Sequence, residues 1–162
     1  AFCRAREDLR ATVFDSAEVL GLTSEYVHQA GLEDRIRLRA GDMLVDDLGG
    51  PYDMIWLSNV VHAYGPDDIR RIFDRAGKAL GNGGRLVFRD FMLDDSKTRP
   101  EFAALFALNM LVATGEGGSY SESEYRQWLA DAGFGDIRAQ NVEHAGNTQL
   151  LLARKGQRSP AG

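Results

Sequence analysis

The chain has 162 residues, of which 44% are apolar and 27% charged, with a net charge of −5 and a pI near 5.2. This composition is typical of a soluble globular protein, and the length allows one domain with a hydrophobic core. The acidic balance argues against a nucleic-acid partner, and no apolar run approaches the roughly 20 residues of a membrane span. The single cysteine, Cys3, excludes an internal disulfide and a cysteine metal site, which fits a reducing cytoplasm.

The first half of the chain alternates between short apolar runs and a helical pattern. Residues 11–15 are β-prone, and a helix is predicted over residues 16–30, with a serine N-cap at its start and a glycine after its end. Residues 35–39 alternate between charged and apolar side chains and predict a second strand. Residues 52–61 are mostly apolar and predict a third strand, buried on both faces as in a parallel sheet.

The second half continues the alternation. A proline followed by acidic residues predicts a helix over residues 66–80, which has a single apolar stripe. A strand is predicted over residues 85–92, and an apolar helix over residues 100–113. Ser121 and Glu124 form the pattern of a capping box and predict the start of a further helix.

Two last strands are predicted over residues 136–142 and 148–153, joined by a turn at residues 146–147. So short a connection requires antiparallel pairing. The whole pattern predicts an α/β fold with a mostly parallel sheet and one reversed strand near its C-terminal edge. We expect a single domain over residues 1–153 and a polar tail over residues 154–162.

Polar side chains stand where the predicted strands end. Asp15, Asp42 and Asp90 follow three of them, and His62 comes just after the fourth, in the stretch SNVVHAYGP. Ligands of open α/β sheets bind beyond the carboxyl ends of the strands, and an acid after the second strand of a nucleotide-binding unit commonly binds ribose. The alternative is that each aspartate caps the next helix or turn, and that His62 is a buried structural histidine.

Five stretches occur together in one order: VFDSAEV, GDML, NVVHAYG, GGRLVFRDFMLDD and GEGGSYSESEYRQWLADAGF. As an ordered set they resemble the catalytic domain of S-adenosylmethionine-dependent small-molecule O-methyltransferases, over about residues 1–153. That family includes the plant caffeate and isoflavone enzymes, acetylserotonin O-methyltransferase and bacterial relatives. The resemblance implies a Rossmann-like class I methyltransferase sheet, S-adenosylmethionine as cofactor, and a small, aromatic hydroxyl compound as acceptor.

The resemblance also implies roles for individual residues. Asp15 matches the acid that binds the cofactor ribose, and Asp42 and Met43 match the pair that contacts the adenine. His62 matches the general base that takes the proton from the acceptor hydroxyl. Asp90 matches the acid that orients this histidine. A histidine is suited to the role because its ordinary pKa, near 6.5, leaves it free to accept a proton at neutral pH.

Further positions follow the family less closely. Ser58 stands where the plant enzymes have a lysine, four residues before the histidine, and it is assigned to the cofactor-binding group. Met110 lies on the helix that in the family helps line the acceptor pocket. The family's second acid beside the histidine falls near Ser119, with Glu116 close by in sequence. No metal site is expected.

Two family features are missing from the sequence. A glycine-rich cofactor loop should lie roughly 20 residues before the ribose acid, but only 14 residues precede Asp15 and residues 1–10 contain no glycine. The resemblance therefore implies a catalytic domain without its first strand. The family's N-terminal dimerisation domain is also absent from the sequence, so the apolar helix around residues 102–111 is expected to be exposed. The resemblance further implies that the parent enzyme is a homodimer.

Three functions remain open from the sequence. The first is O-methylation of a small hydroxyl compound, although relatives of this fold also methylate carbon or nitrogen. The second is a catalytically silent fragment or binding module, because the glycine loop is missing. The third is an NAD-dependent oxidoreductase, because Asp15 would bind the ribose of NAD equally well. It would need a pyrophosphate loop, and the reversed last strand argues against it.

Overall fold

In the computed structural model, residues 1–140 and 147–156 are described, and they belong to two compact units that divide between Leu48 and Gly49. The end of the strand predicted over 136–142, the first residue of the predicted turn and residues 157–162 of the tail lie outside the described residues. Within those residues, none of the helices combines the length and apolar character needed to cross a membrane.

The first unit is a two-stranded parallel sheet with a helix between its strands. Its elements are α1 (Phe2–Ala5), β1 (Ala11–Asp15), α2 (Ala17–Gln29) and β2 (Ile36–Ala40). The predicted N-cap is confirmed, since the Ser16 hydroxyl accepts a hydrogen bond from the Val19 N–H at 3.4 Å. A small core of Cys3, Val27 and Leu32 lies beneath the strands.

The second unit is a four-stranded mixed sheet with helices. Its elements are β3 (Tyr52–Ser58), α3 (Pro66–Ala79), β4 (Leu80–Asp90), α4 (Glu101–Thr114), α5 (Glu122–Asp131), β5 (Phe134–Gln140) and β6 (Gln149–Lys155). The strand order is β3-β4-β6-β5, in which β3 and β4 are parallel and β6 is antiparallel to both of its neighbours. The prediction of one reversed strand near the C-terminus is confirmed. β6 spans Gln149–Lys155, so the strand predicted over 148–153 begins one residue later and extends two residues further.

The core of the second unit forms where the apolar stripe of α3 meets β4 and α5. Ile69, Ile72 and Phe73 are almost fully buried, as the single-stripe pattern predicted. The Phe73 ring packs edge-on against Phe88 of β4, with ring centroids 5.3 Å apart. Removing the Phe88 or Phe73 ring from this contact would open a cavity in the centre of the unit.

Strand β3 differs from its prediction. It ends at Ser58 rather than at residue 61, because Asn59 has a φ of 54° and turns the chain out of the sheet. The predicted burial on both faces is also wrong: Met54 and Trp56 are 43% and 42% exposed. The physical reason is that β3 lies at a sheet edge, paired with β4 on one side and with no strand on the other among the described residues.

Strand β4 begins five residues earlier than predicted, at Leu80 instead of residue 85. Helix α3 ends at Ala79, just before the glycines of GNGG, as these glycines predict; the same glycines also lie within β4 and allow it to pass close to β3. A Cβ on Gly84 would lie 3.1 Å from the Tyr52 carbonyl oxygen and 3.1 Å from a Leu80 methyl carbon. Sequence patterns that treat glycine as a terminator miss this close approach.

The capping box of α5 is present and gives a testable contribution to stability. The Ser121 hydroxyl accepts from the Glu124 N–H at 3.3 Å, and the Glu124 carboxylate accepts from the Ser121 N–H at 2.8 Å. Ser121→Ala is expected to lower the free energy of unfolding by about 1–2 kcal/mol, measured by urea denaturation. Ser24→Ala, in the exposed interior of α2, is the matched control and should cause no loss. Equal effects of the two changes would contradict the capping role.

Candidate active site

His62 is positioned by the way the chain leaves β3. Ser58 pairs with Arg89 in the parallel register of β3 and β4, and the Asn59 N–H donates to the Arg89 carbonyl at 2.9 Å. The chain then forms a 3₁₀ turn, Val61–Ala63, in which Val61 is fully buried. The buried valine anchors the turn, so the next residue, His62, lies beside the carboxyl end of β4.

The imidazole of His62 is paired with Asp90, the last residue of β4. The distance from His62 Nδ1 to Asp90 Oδ1 is 2.7 Å, and the side chains are 15% and 0% exposed. The same carboxylate oxygen accepts from the Phe91 N–H at 2.8 Å. A carboxylate at Nδ1 favours the tautomer with its proton on that nitrogen, which leaves the Nε2 lone pair free to accept a proton.

Aromatic side chains cover one side of His62. The ring centroid of Phe106, from α4, lies 4.9 Å from that of His62 in an edge-on arrangement, and the Phe91 centroid lies 6.0 Å away. Phe91 and Phe106 also contact each other, at 4.3 Å. Such an apolar wall lowers the local dielectric around the His62–Asp90 pair and offers ring faces to an aromatic ligand.

The loop over residues 115–119 packs directly on the backbone of His62. The Gly118 N–H donates to the His62 carbonyl at 2.9 Å, and a Cβ on Gly117 would lie 2.4 Å from the same oxygen. Only glycine fits at position 117 without displacing the turn that carries His62. Our sequence reasoning missed this residue; its signal was the paired glycine in GEGGS.

The family's second acid has no clear counterpart in this arrangement. Ser119 is buried, and its hydroxyl has no hydrogen-bond partner within the described part of the chain. Glu116 is exposed and lies next to Gly65. Among the described residues, the hydrogen-bonding side chain at the His62 ring is that of Asp90.

The three candidates of the first unit lie at the carboxyl ends of its two strands. Asp15 ends β1 opposite Ala40, and its backbone carbonyl accepts from the Gly41 N–H at 3.0 Å. Asp42 is exposed and Met43 is half-buried. Asp15, Asp42 and Met43 therefore belong to one edge of this sheet.

Both aspartates also make the local bonds expected of capping residues. Asp15 Oδ1 accepts from the Ser16 N–H at 2.8 Å, and Asp42 Oδ1 accepts from the Leu44 N–H at 2.8 Å. Each of these bonds uses one of the two carboxylate oxygens, so the capping interpretation and the ligand-binding interpretation are compatible. Carboxylates at strand ends suit a ligand with hydroxyl and amino donors, as the ribose and adenine of a nucleoside have.

The predicted site residues thus fall into two groups. His62 and Asp90 are in direct contact, and Ser58 lies at the neighbouring strand end. Met110 is half-buried on α4. The Thr114 hydroxyl donates to the Met110 carbonyl at 2.9 Å and accepts from the Gly117 N–H at 2.8 Å. That these residues and the strand-end residues of the first unit form one binding site stays a prediction. No group of three or more metal-binding side chains is present in the described ranges.

Comparison with known proteins gives the family. A family model described as an O-methyltransferase domain matches residues 3–135. The chain is 36% identical over 153 residues to the 3-hydroxy-5-methyl-1-naphthoate 3-O-methyltransferase of Streptomyces sahachiroi, covering 94% of this chain and 44% of that protein. It is 29% identical to the L-tyrosine C(3)-methyltransferase of Streptomyces lavendulae, covering 96% of this chain and 43% of that protein.

Among solved structures, the chain matches an O-methyltransferase family 2 protein from Planctomyces limnophilus in complex with apigenin. The TM-score is 0.84 and the identity 36%, covering 94% of this chain and 44% of that one. The sequence thus spans less than half the length of the proteins that it resembles.

Proposed function

The chain belongs to the O-methyltransferase domain family, and from this premise we propose that it is the catalytic part of an enzyme that methylates a hydroxyl group of a small aromatic compound. The observation that carries the proposal is the buried His62–Asp90 pair, with 2.7 Å between Nδ1 and Oδ1, beside the Phe91–Phe106 wall. This arrangement provides a base, a group that orients the base, and an apolar surface for an aromatic acceptor.

His62 would act as the general base. A phenol, with an ordinary pKa near 10, is a weak nucleophile until its proton is removed. Nε2 of His62 would take this proton as the oxygen attacks. Asp90 holds Nδ1, so it keeps the lone pair on Nε2 and stabilises the imidazolium that forms. Phe91 and Phe106 exclude water from this side of the imidazole.

Residues of the first unit would hold the cofactor. When bound, S-adenosylmethionine supplies an electrophilic methyl group on a sulfonium sulfur. Asp15 would accept hydrogen bonds from the ribose hydroxyls, Asp42 from the adenine amino group, and the Met43 thioether would lie against the adenine ring. Alignment of donor and acceptor accounts for much of the catalysis in such a displacement.

The remaining assignments concern Ser58, Met110, assembly and location. We propose that Ser58 contributes to cofactor binding from the end of β3, and that Met110 lines the acceptor pocket.

α4 exposes several large apolar side chains, which supports a homodimeric parent protein in which this helix is covered: Phe102, Leu105, Leu108, Leu111 and Val112. The free, buried Cys3 suits a reducing compartment such as the cytoplasm.

The proposed activity is tested by supplying methyl-labelled S-adenosylmethionine and a phenolic acceptor such as a hydroxynaphthoate or apigenin. The assay uses this chain and a longer protein that contains it. We expect label on the phenolic oxygen, and none when every hydroxyl of the same acceptor is already methylated.

Calorimetric titration with S-adenosylhomocysteine separates binding from transfer. If neither form of the protein binds S-adenosylhomocysteine, the methyltransferase proposal fails, and the catalytically silent and NAD-dependent alternatives remain; titration with NAD then distinguishes these two. Label on carbon or nitrogen instead of oxygen would keep the family and overturn the hydroxyl acceptor.

A further inference from the structure

One oxygen of the Asp90 carboxylate is left without a partner. Oδ1 accepts hydrogen bonds from both His62 Nδ1 and the Phe91 N–H. Oδ2 is equally buried, and no hydrogen-bonding group of the described residues reaches it. A carboxylate oxygen without a donor in a fully buried position is costly, and native proteins commonly satisfy such a group with a buried water.

A second buried polar atom without a partner is the hydroxyl of Tyr125, on α5. The side chain is fully buried, and its oxygen has no hydrogen-bond partner in the part of the chain that is described. Its ring lies on Phe88 of β4, with centroids 4.8 Å apart. Phe88 and Asp90 are two residues apart on one strand, so both side chains are on the same face of the sheet as Tyr125.

Electrostatics link the same two residues. Burial, and next the negative charge of Asp90, raise the pKa of the Tyr125 phenol well above its ordinary value, and they outweigh a smaller opposing effect of the Tyr120 backbone, which acts on the phenol oxygen as acceptor and leaves its proton free to donate. The phenol therefore keeps its proton at any physiological pH and is available as a hydrogen-bond donor. Asp90 Oδ2 accepts hydrogen bonds only, so the two groups are complementary.

We propose that one buried water molecule joins the Tyr125 hydroxyl to Asp90 Oδ2, and that Tyr125 thereby positions the carboxylate that orients His62. The inference rests on the proposed function, since it extends the His62–Asp90 pair by one residue. A donor on Oδ2 fixes the plane of the carboxylate, so that Oδ1 stays directed at Nδ1. Tyr125 acts through Asp90 and touches neither acceptor nor cofactor.

Tyr125→Phe removes the hydroxyl and keeps the ring. Without the bridged donor, the Asp90 carboxylate is more basic and stabilises the imidazolium of His62 more strongly. The pH at which His62 is half protonated should then rise, by about half a unit for one hydrogen bond to a carboxylate. NMR titration of the His62 ring in the 162-residue chain measures this without any methyl transfer. In a form that transfers methyl, we expect kcat at pH 7 to fall by at most about threefold, because a larger fraction of His62 is protonated, with an unchanged KM for the methyl donor.

Tyr120→Phe is the matched control. Its ring belongs to the same aromatic cluster, 5.9 Å from that of Tyr125, but its hydroxyl bonds to the Tyr64 carbonyl at 3.3 Å. This change should not alter the pH at which His62 is half protonated. The proposal is overturned if Tyr125→Phe is folded and His62 titrates as in the unchanged chain.

Two further measurements distinguish a failure of the Tyr125 inference from a failure of the His62–Asp90 pair. In the unchanged chain, the Tyr125 ring should show magnetisation transfer from a long-lived water, and its absence overturns the proposal even if Tyr125→Phe does not fold. Asp90→Asn should shift the His62 titration strongly. If it does so while Tyr125→Phe does not, the His62–Asp90 pair stands and the Tyr125 inference alone fails. The methyl-transfer assay tests the proposed function separately.

Discussion

Replacing His62 with glutamine is expected to lower kcat for methyl transfer by about 100- to 10,000-fold, the range for loss of a general base. Glutamine fills a similar space and can donate to Asp90 Oδ1, but its amide cannot take a proton from the acceptor. The KM for the methyl donor should stay within about twofold, because the cofactor contacts are assigned to other residues. Steady-state kinetics of the form that transfers methyl measure both effects.

His28→Gln is the control for this change. The side chain of His28 is 81% exposed and is bonded to Glu33, so its loss should leave kcat unaltered. Retention of more than roughly a tenth of the activity in His62→Gln would rule out the general-base role, since it falls outside the range expected for a base. The methyltransferase function itself would survive that result.

Replacing Asp90 with asparagine is expected to lower kcat by roughly 100-fold or more. An amide at this position can keep its oxygen on Nδ1 of His62 and on the Phe91 N–H, but it is uncharged and no longer stabilises the imidazolium that forms when His62 takes the proton of the acceptor. The geometry of the buried site would be nearly unchanged, so the loss is one of charge rather than of folding. The readout is kcat, combined with a thermal unfolding scan.

The exposed Asp67, whose side chain is 97% accessible, gives the control Asp67→Asn. Because His62 and Asp90 are proposed to act as a unit, the double variant should be scarcely slower than His62→Gln alone. Effects that multiply in the double variant would show that Asp90 acts independently of His62.

Much of the second unit could be predicted from the sequence. The stripe of α3 and the capping box of α5 depend on residues within one or two turns of each other, so local spacing determines them. The antiparallel strand β6 followed from the short connection to β5. The adjacency of His62 and Asp90 followed from the rule that parallel strands end at one edge of a sheet.

Other features depend on what lies beside each element. Apolar composition predicted a buried β3, but burial requires neighbours on both sides, and β3 has a strand on one side only among the described residues. The GNGG stretch follows the end of α3, as its glycines predict, but its close approach to Tyr52 is not visible in the local pattern. Local periodicity carries no information about either neighbour.

The sequence by itself determined the order of the elements, the reversed last strand and the residue types of the proposed base and of the acid proposed to orient it. Only the tertiary structure decided how these groups are held. It brings Gly117 against the His62 carbonyl, places Phe106 across the imidazole, and packs the Tyr125 ring on Phe88, on the face of β4 that carries Asp90. The physical reason is that these contacts join segments from about 30 to 60 residues apart, whereas the sequence patterns report interactions within a few residues.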